Sequence, residues 1–342
     1  MLRTVGGIIL PAALRLTGSQ IPRSCIRHVQ AHRQLFTGRG WLARFGGKSK
    51  PVVNPEQGDV TWSKFVHASI FTVVGSGAIL AGCVIWEYEG VRAMMRRSMD
   101  RGLLWGRRQA EHGFKRPEWR NQLHSWWASQ TDGQKLFWPL CLLNVVVFLA
   151  WKVPAFSPTM LRYFASTPAS PWFRLPMLLS GFSHYSFTHL AVNMFVLHSF
   201  STGAVAMLGK EQFLGLYLSG ALVSSLGSYL YKMFVFTPAV SMGASGAIMA
   251  VLGFVCTESP DSRLAIIFLP MFTFTAGTAI KAVMAFDTLG AVLRWNFFDH
   301  AAHLGGALFG VYWSLYGRQQ VWERREPVIR WYHNLREATR RP

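Results

Sequence analysis

The stretch Thr237-Pro238-Ala239-Val240-Ser241-Met242-Gly243-Ala244-Ser245-Gly246, followed by the apolar run Ala247 to Cys256, decides the fold. Its first half reads as extended chain, its second as a helix too short to cross a bilayer. Continued past Glu258 to Pro260, that helix reaches about 16 residues where a span needs about 20. Irregular backbone at membrane depth survives only where protein buries it or where it lines a water-filled cavity. A hydroxyl at the mouth of such a helix gains no packing and must find a hydrogen-bond partner. Ser245 therefore calls for an enclosing bundle and a partner.

The candidate partner lies 58 residues further on, in Ala302-His303-Leu304-Gly305-Gly306. Imidazole accepts a proton near neutral pH, which makes histidine the usual general base for a serine. The bland alternative for Ser245 is a small residue easing helix contact, as Gly246, Ala250 and Gly253 do on the same helix. Ala302, Gly306 and Gly310 form a matching ridge on the other. Both readings agree, since close backbone approach is what would bring the two side chains together.

Composition sets the class. Hydrophobic residues make up 51% of 342, charged residues 15%, and mean hydropathy is +0.21. These values point to a polytopic membrane protein and away from a soluble enzyme. The net charge of +19 is uneven: residues 1–55 carry nine Lys or Arg and no acid before Glu56. Arg3, Arg15, Arg23, Arg27, Arg33, Arg39 and Arg44 recur among apolar and hydroxyl residues, the composition of a mitochondrial presequence. A nucleic-acid-binding arm fits less well beside these apolar spacers. Pro11 and Arg15 cut short the run that a secretory signal would need. Cys25, Cys83, Cys141 and Cys256 show no paired or metal-type spacing and read as small hydrophobes.

Seven hydrophobic segments follow. An isolated one spans 65–86, then comes a polar linker at 87–135. Six more lie near Leu136–Val153, Tyr185–Met207, Phe213–Phe236, Ser245–Cys256, Leu264–Phe286 and Phe297–Tyr316. The expected fold is thus an all-α polytopic membrane protein, one extra helix before a six-helix core (1+6). Its parts are a presequence at 1–55, the core at 136–316 and a basic tail at 317–342. The second, fourth and sixth core helices run the same way. At about 1.5 Å rise per residue, Asn193, Ser245 and His303 then share one shallow layer.

The second core helix opens His184-Tyr185-Ser186-Phe187-Thr188-His189-Leu190-Ala191-Val192-Asn193. His189 and Asn193 share a face and His184 precedes them, so the three could serve as donors to a developing oxyanion. A zinc site is the rival, but Asn is a poor ligand and no carboxylate or Cys completes the set. Asp299, one turn before His303, could orient the imidazole; its place at a helix start favours a cap.

These motifs resemble the rhomboid intramembrane serine proteases across roughly Leu136 to Tyr316. Ser245 matches the nucleophile in Gly-x-Ser-Gly and His303 the base in Ala-His-x-x-Gly. His184, His189 and Asn193 match His-x4-His-x3-Asn. The resemblance implies a Ser245–His303 dyad without an aspartate, and an oxyanion hole from Asn193, His189 and the Ser245 backbone N–H. Gly243 and Gly246 would leave room at the serine turn, and His184 would support the site. No metal or cofactor is implied. The extra helix and presequence resemble the mitochondrial, presenilin-associated branch, which implies a multi-pass inner-membrane protein. Its partners would be the bilayer and single-span membrane substrates, with roles in quality control, dynamics or apoptosis, and no nucleic acid. Where many rhomboids carry adjacent Trp-Arg in the first loop, this chain has Trp172-Phe173-Arg174. A pseudoprotease holding membrane clients and a small transporter are the rivals. The first is disfavoured by the presence of both Ser245 and His303. The second should show paired broken helices, where the sequence has a single short one.

Overall fold

The computed structural model describes residues 61–104, 117–184, 186–266, 269–295 and 297–339. The presequence expected at 1–55 lies outside them.

Among the described residues the structure is all-α apart from one hairpin. Helix α1 (Trp62–Leu104) runs through the expected boundary at Trp86 and into the polar linker. Nothing breaks it there, because Gly90 alone is a weak stop. Its extension is also held from outside. Arg325 grips Glu87 through two nitrogens at 2.8 and 3.0 Å, and Tyr332 and Arg336 both reach Glu89. The linker also contains α2 (Glu118–Ser129).

Helix α3 (Asp132–Ala150) starts at a capping box, where Thr131 accepts from the Gln134 N–H and the Gln134 side chain accepts from the Thr131 N–H. Two short helices, α4 (Ser157–Tyr163) and α5 (Arg174–Leu179), fold the following loop. Then come α6 (Phe187–Leu208), α7 (Lys210–Phe234) and α8 (Ser245–Glu258). Gly209, at φ 79°, makes the tight joint between α6 and α7. Helices α1, α3, α6 and α7 are long and apolar enough to cross a membrane. At 14 residues, α8 is about 21 Å long, well short of the hydrocarbon core.

The fifth core segment departs from expectation. Leu264–Phe286 is not one helix: β1 (Arg263–Ile266) and β2 (Leu269–Thr275) pair antiparallel, with Arg263 opposite Thr275. Only then does α9 (Ala276–Val292) begin, capped by Thr275. Pro270 and the alternating Phe272-Thr273-Phe274-Thr275 favour a strand over a helix, a distinction that mean hydropathy does not make. Helix α10 (His300–Tyr312) continues through a π-helical stretch, Trp313–Trp322, before α11 (Glu326–Ala338).

Helix α8 lies at the centre, touching α6, α7, α9 and α10. Its closest neighbour is α10, and small residues make that possible. A Cβ built at Gly306 would fall 2.1 Å from the Gly246 carbonyl oxygen, and one at Gly310 2.0 Å from that of Ala250. The backbones themselves are in contact, as the two small-residue ridges imply.

Gly310→Val should therefore force the helices apart. Overpacking of this kind costs roughly 3 kcal/mol or more, about a 6–12 °C fall in Tm. Thermal unfolding in detergent measures it, and an unchanged Tm would show that the contact is not rigid.

Candidate active site

Ser245 is the first residue of α8, where the extended segment from Thr237 turns into helix. That segment is pinned along its length. Ser241 and Ser166 exchange two backbone hydrogen bonds at 2.8 and 2.9 Å, and the Gly243 N–H donates to the Ser180 carbonyl at 2.9 Å. Gly243 has φ 141°, a conformation that L side chains rarely adopt. A Cβ there would also fall 2.8 Å from the His189 ring and 3.6 Å from Ser245 Oγ. Gly246 is equally enclosed, 2.1 Å from Ser224 Oγ by the same construction.

His303, the fourth residue of α10, meets the serine. Its Nε2 lies 2.8 Å from Ser245 Oγ. The orientation of α10 is set by Asp299, which caps it by accepting from the Ala302 N–H at 3.0 Å. Asp299 does not reach the imidazole. Its other oxygen accepts from Ser228 at 2.6 Å and from Ser241, and pairs with Lys232 at 3.4 Å. Lys232 also donates to Ser241. An ion pair is thus placed beside the site, with serine hydroxyls satisfying it.

The other sequence-derived residues are gathered around the same turn. His184 is fully buried, and its Nε2 accepts from the Ala244 N–H at 3.4 Å, next to the serine. The rings of His184 and His189 meet edge to face at 5.0 Å. Ser186 caps α6 by accepting from the His189 N–H at 3.2 Å. Asn193 is buried and donates one amide hydrogen to the His189 carbonyl at 2.9 Å. That leaves its second amide hydrogen. The structure brings Ser245, His303, Gly243, His184 and His189 together directly. Asn193 joins them one turn deeper, through His189.

A small pocket opens beside Ser245. Its walls carry hydroxyls from Ser180, Ser224, Ser225, Ser228 and Ser241, together with Asp299. Three of these serines, Ser224, Ser225 and Ser228, come from α7. In the first loop, the Arg162 guanidinium lies 3.7 Å over the Trp172 ring, so an Arg–Trp pair forms between residues ten apart in sequence.

Two charged residues escaped the sequence reading, Lys232 and Asp287. Both lie in or at the edge of apolar segments, where an ionisable side chain is itself a sign of function. Asp287, on α9, is 2% exposed and touches two histidines, His300 at 2.7 Å and His303 at 3.4 Å.

A serine bonded to an imidazole, beside clustered donors and a hydroxyl-lined pocket, can carry out acyl transfer. Comparison with known proteins points the same way. A family profile described as "Rhomboid domain" matches residues 171–320. The chain is 47% identical over 271 residues to "Presenilin-associated rhomboid-like protein, mitochondrial" of Bos taurus, covering 79% of this chain and 72% of that protein. "Rhomboid protein 1, mitochondrial" of Saccharomyces cerevisiae is 33% identical over 209 residues, 59% of this chain and 60% of the yeast protein. "Rhomboid protease GluP" of Bacillus subtilis is 34% identical over 143 residues, 41% of this chain and 25% of its own length.

Gly243→Ala tests the serine turn. Strain at such a backbone position costs of order 1–3 kcal/mol, and the new methyl would push the His189 ring aside. Labelling of Ser245 by a fluorophosphonate should slow by about 10- to 100-fold while the protein stays folded. Full labelling would mean that the turn tolerates a side chain.

Proposed function

The chain belongs to the rhomboid family, in its mitochondrial presenilin-associated branch, and on that premise we propose that it is an intramembrane serine protease of the mitochondrial inner membrane. The observation that carries the reading is the 2.8 Å bond between Ser245 Oγ and His303 Nε2. In the proposed reaction His303 takes the serine proton as Oγ attacks a peptide carbonyl. It then gives that proton to the leaving amine, and water clears the acyl-enzyme. The Ser245 backbone N–H, His189 and the free amide hydrogen of Asn193 would hold the oxyanion. Water would reach the acyl-enzyme through the serine-lined pocket. The span arrangement is proposed as one plus six, with α8, α9 and α10 as the short members of the core.

Substrates are proposed to be single-span membrane proteins. A helix hides its carbonyls in its own hydrogen bonds, so segments with Gly, Ser or Pro, which unwind cheaply, would be cut in preference. By analogy with the family, their cleavage would serve mitochondrial quality control, dynamics or apoptosis.

Ser245→Ala and His303→Ala should each remove cleavage by several orders of magnitude, and the double variant little more, because nucleophile and base act as a unit. Purified protein in detergent with a single-span substrate reads this directly. Substantial turnover by Ser245→Ala would favour a client-holding protein that does not use this serine.

Residues 1–50 are proposed to address the protein to mitochondria and to be removed there. Import reads a positive amphipathic face as a set. A reporter carrying this segment should be imported and shortened, and replacing Arg3, Arg15, Arg23 and Arg27 with Glu should leave it outside. Import of the Glu version would place the address elsewhere in the chain.

A further inference from the structure

The Ser245–His303 pair leaves one atom unexplained, the second ring nitrogen of His303. With Nε2 bonded to the serine, the general-base tautomer must carry its proton on Nδ1. The carboxylate facing that nitrogen is Asp287, with Oδ1 at 3.4 Å. Resting on the protease reading above, we propose that Asp287 is a positioning residue that holds the tautomer of His303 and supports the Ser245–His303 pair.

Three features show a built arrangement. Asp287 is 2% exposed on the side of α9 that faces α10, where an unpaired carboxylate would be costly. It is anchored by His300, whose Nδ1 lies 2.7 Å from the same oxygen. His300 itself is boxed by Phe286, Trp295, Phe297 and Phe298, with ring centroids 5.1–6.0 Å away. Gly290, one turn after Asp287, makes room for that ring: a Cβ there would lie 2.7 Å from His300. The imidazole of His300 is thus fixed by packing and the carboxylate is fixed by the imidazole. Asp287 can turn little and stays aimed at His303.

The 3.4 Å separation is a charge contact longer than a good hydrogen bond. Catalytic hydrogen bonds are often long before substrate binds and tighten when charge develops. As Ser245 Oγ attacks, its proton passes to Nε2 and His303 becomes an imidazolium. Asp287 then faces a full positive charge in a site of low dielectric, where attraction is strongest. The carboxylate takes no proton; it holds the tautomer and stabilises the cation.

The rival role is structural, with Asp287 serving only as the partner of His300. Three variants separate the two in the full-length protein in detergent, with cleavage kinetics and fluorophosphonate labelling as readouts. Asp287→Asn should lower kcat by about 10²- to 10³-fold with KM little changed, and slow labelling in step. His300→Phe, which suits the aromatic box, should lower kcat by less than about 10-fold. The double variant leaves neither a buried charge nor an unsatisfied imidazole, so folding is expected even where Asp287→Asn alone is unstable. If Asp287 serves His303, the double variant stays as slow as Asp287→Asn. Recovery of kcat in the double variant, or a normal kcat in Asp287→Asn, overturns the proposal. Ser245→Ala and His303→Ala run alongside: their retained turnover would sink the protease reading itself, whereas their loss with Asp287→Asn intact would sink only the role of Asp287.

Discussion

Direct backbone contact between α8 and α10 is the constraint on which the site depends. Ser245 opens one helix and His303 lies in the first turn of the other, so their 2.8 Å bond exists only if the two axes lie very close. Gly253, Gly306 and Gly310 allow it, with carbonyl oxygens occupying the space where side chains would stand. Among membrane helices hydrophobicity gives no preference for one neighbour over another, so shape and hydrogen bonding must choose. A ridge of small residues on each helix makes that choice and fixes the register. One helical turn of slippage, about 5.4 Å, would separate nucleophile and base entirely.

The second constraint is the cost of polarity in an apolar bundle. Each charged group near the site is satisfied by another. Lys232 pairs with Asp299, Ser228 and Ser241 bond the same carboxylate, and Asp299 caps α10 with its remaining oxygen. One side chain thereby ties the end of α7, the extended segment leading to Ser245 and the start of α10 into a single unit. Its effect on chemistry is indirect, through the placement of His303. Asp287, approached from α9, is the charged group that faces the imidazole. Two aspartates near one histidine thus divide the work, one holding the helix and the other facing the ring.

This division explains what could be read from the chain. Ser245, His303 and the His184–His189–Asn193 run stand out because polar residues at helical spacing in apolar segments are conspicuous. The short fourth core helix and the cap at Asp299 follow from length and position alone. Asp287 was missed because the fifth segment was drawn as a continuous helix ending at Phe286, one residue too early. The hairpin at Arg263–Thr275 shifts α9 toward the C-terminus and carries Asp287 inside it. Strand and helix are equally apolar there, so hydropathy could not separate them; Pro270 and the Phe-Thr alternation could have. Lys232 lies near the end of a long apolar helix, where nothing in its spacing links it to Asp299, yet the two pair beside the site.

Helix α1 takes on a role from the same geometry. Gly75 packs against Leu222, and Leu80 lies over Gly215, so α1 covers one side of α7. The other side of α7 meets α8 through Gly220 and Ser224, and α10 through Gly227. Helix α7 also supplies Ser224, Ser225 and Ser228 to the pocket wall and Lys232 to the ion pair. Any tilt of α7 would widen the pocket and pull on Asp299 together. Helix α1 opposes that tilt, and its own extension is clamped at Glu87 and Glu89 by Arg325, Tyr332 and Arg336 around α11. The extra helix and the C-terminal tail therefore act as a brace on the helix that forms the polar wall of the site. Among the described residues the hydrogen bond joining Ser245 and His303 involves neither element, and their influence on the chemistry passes through α7.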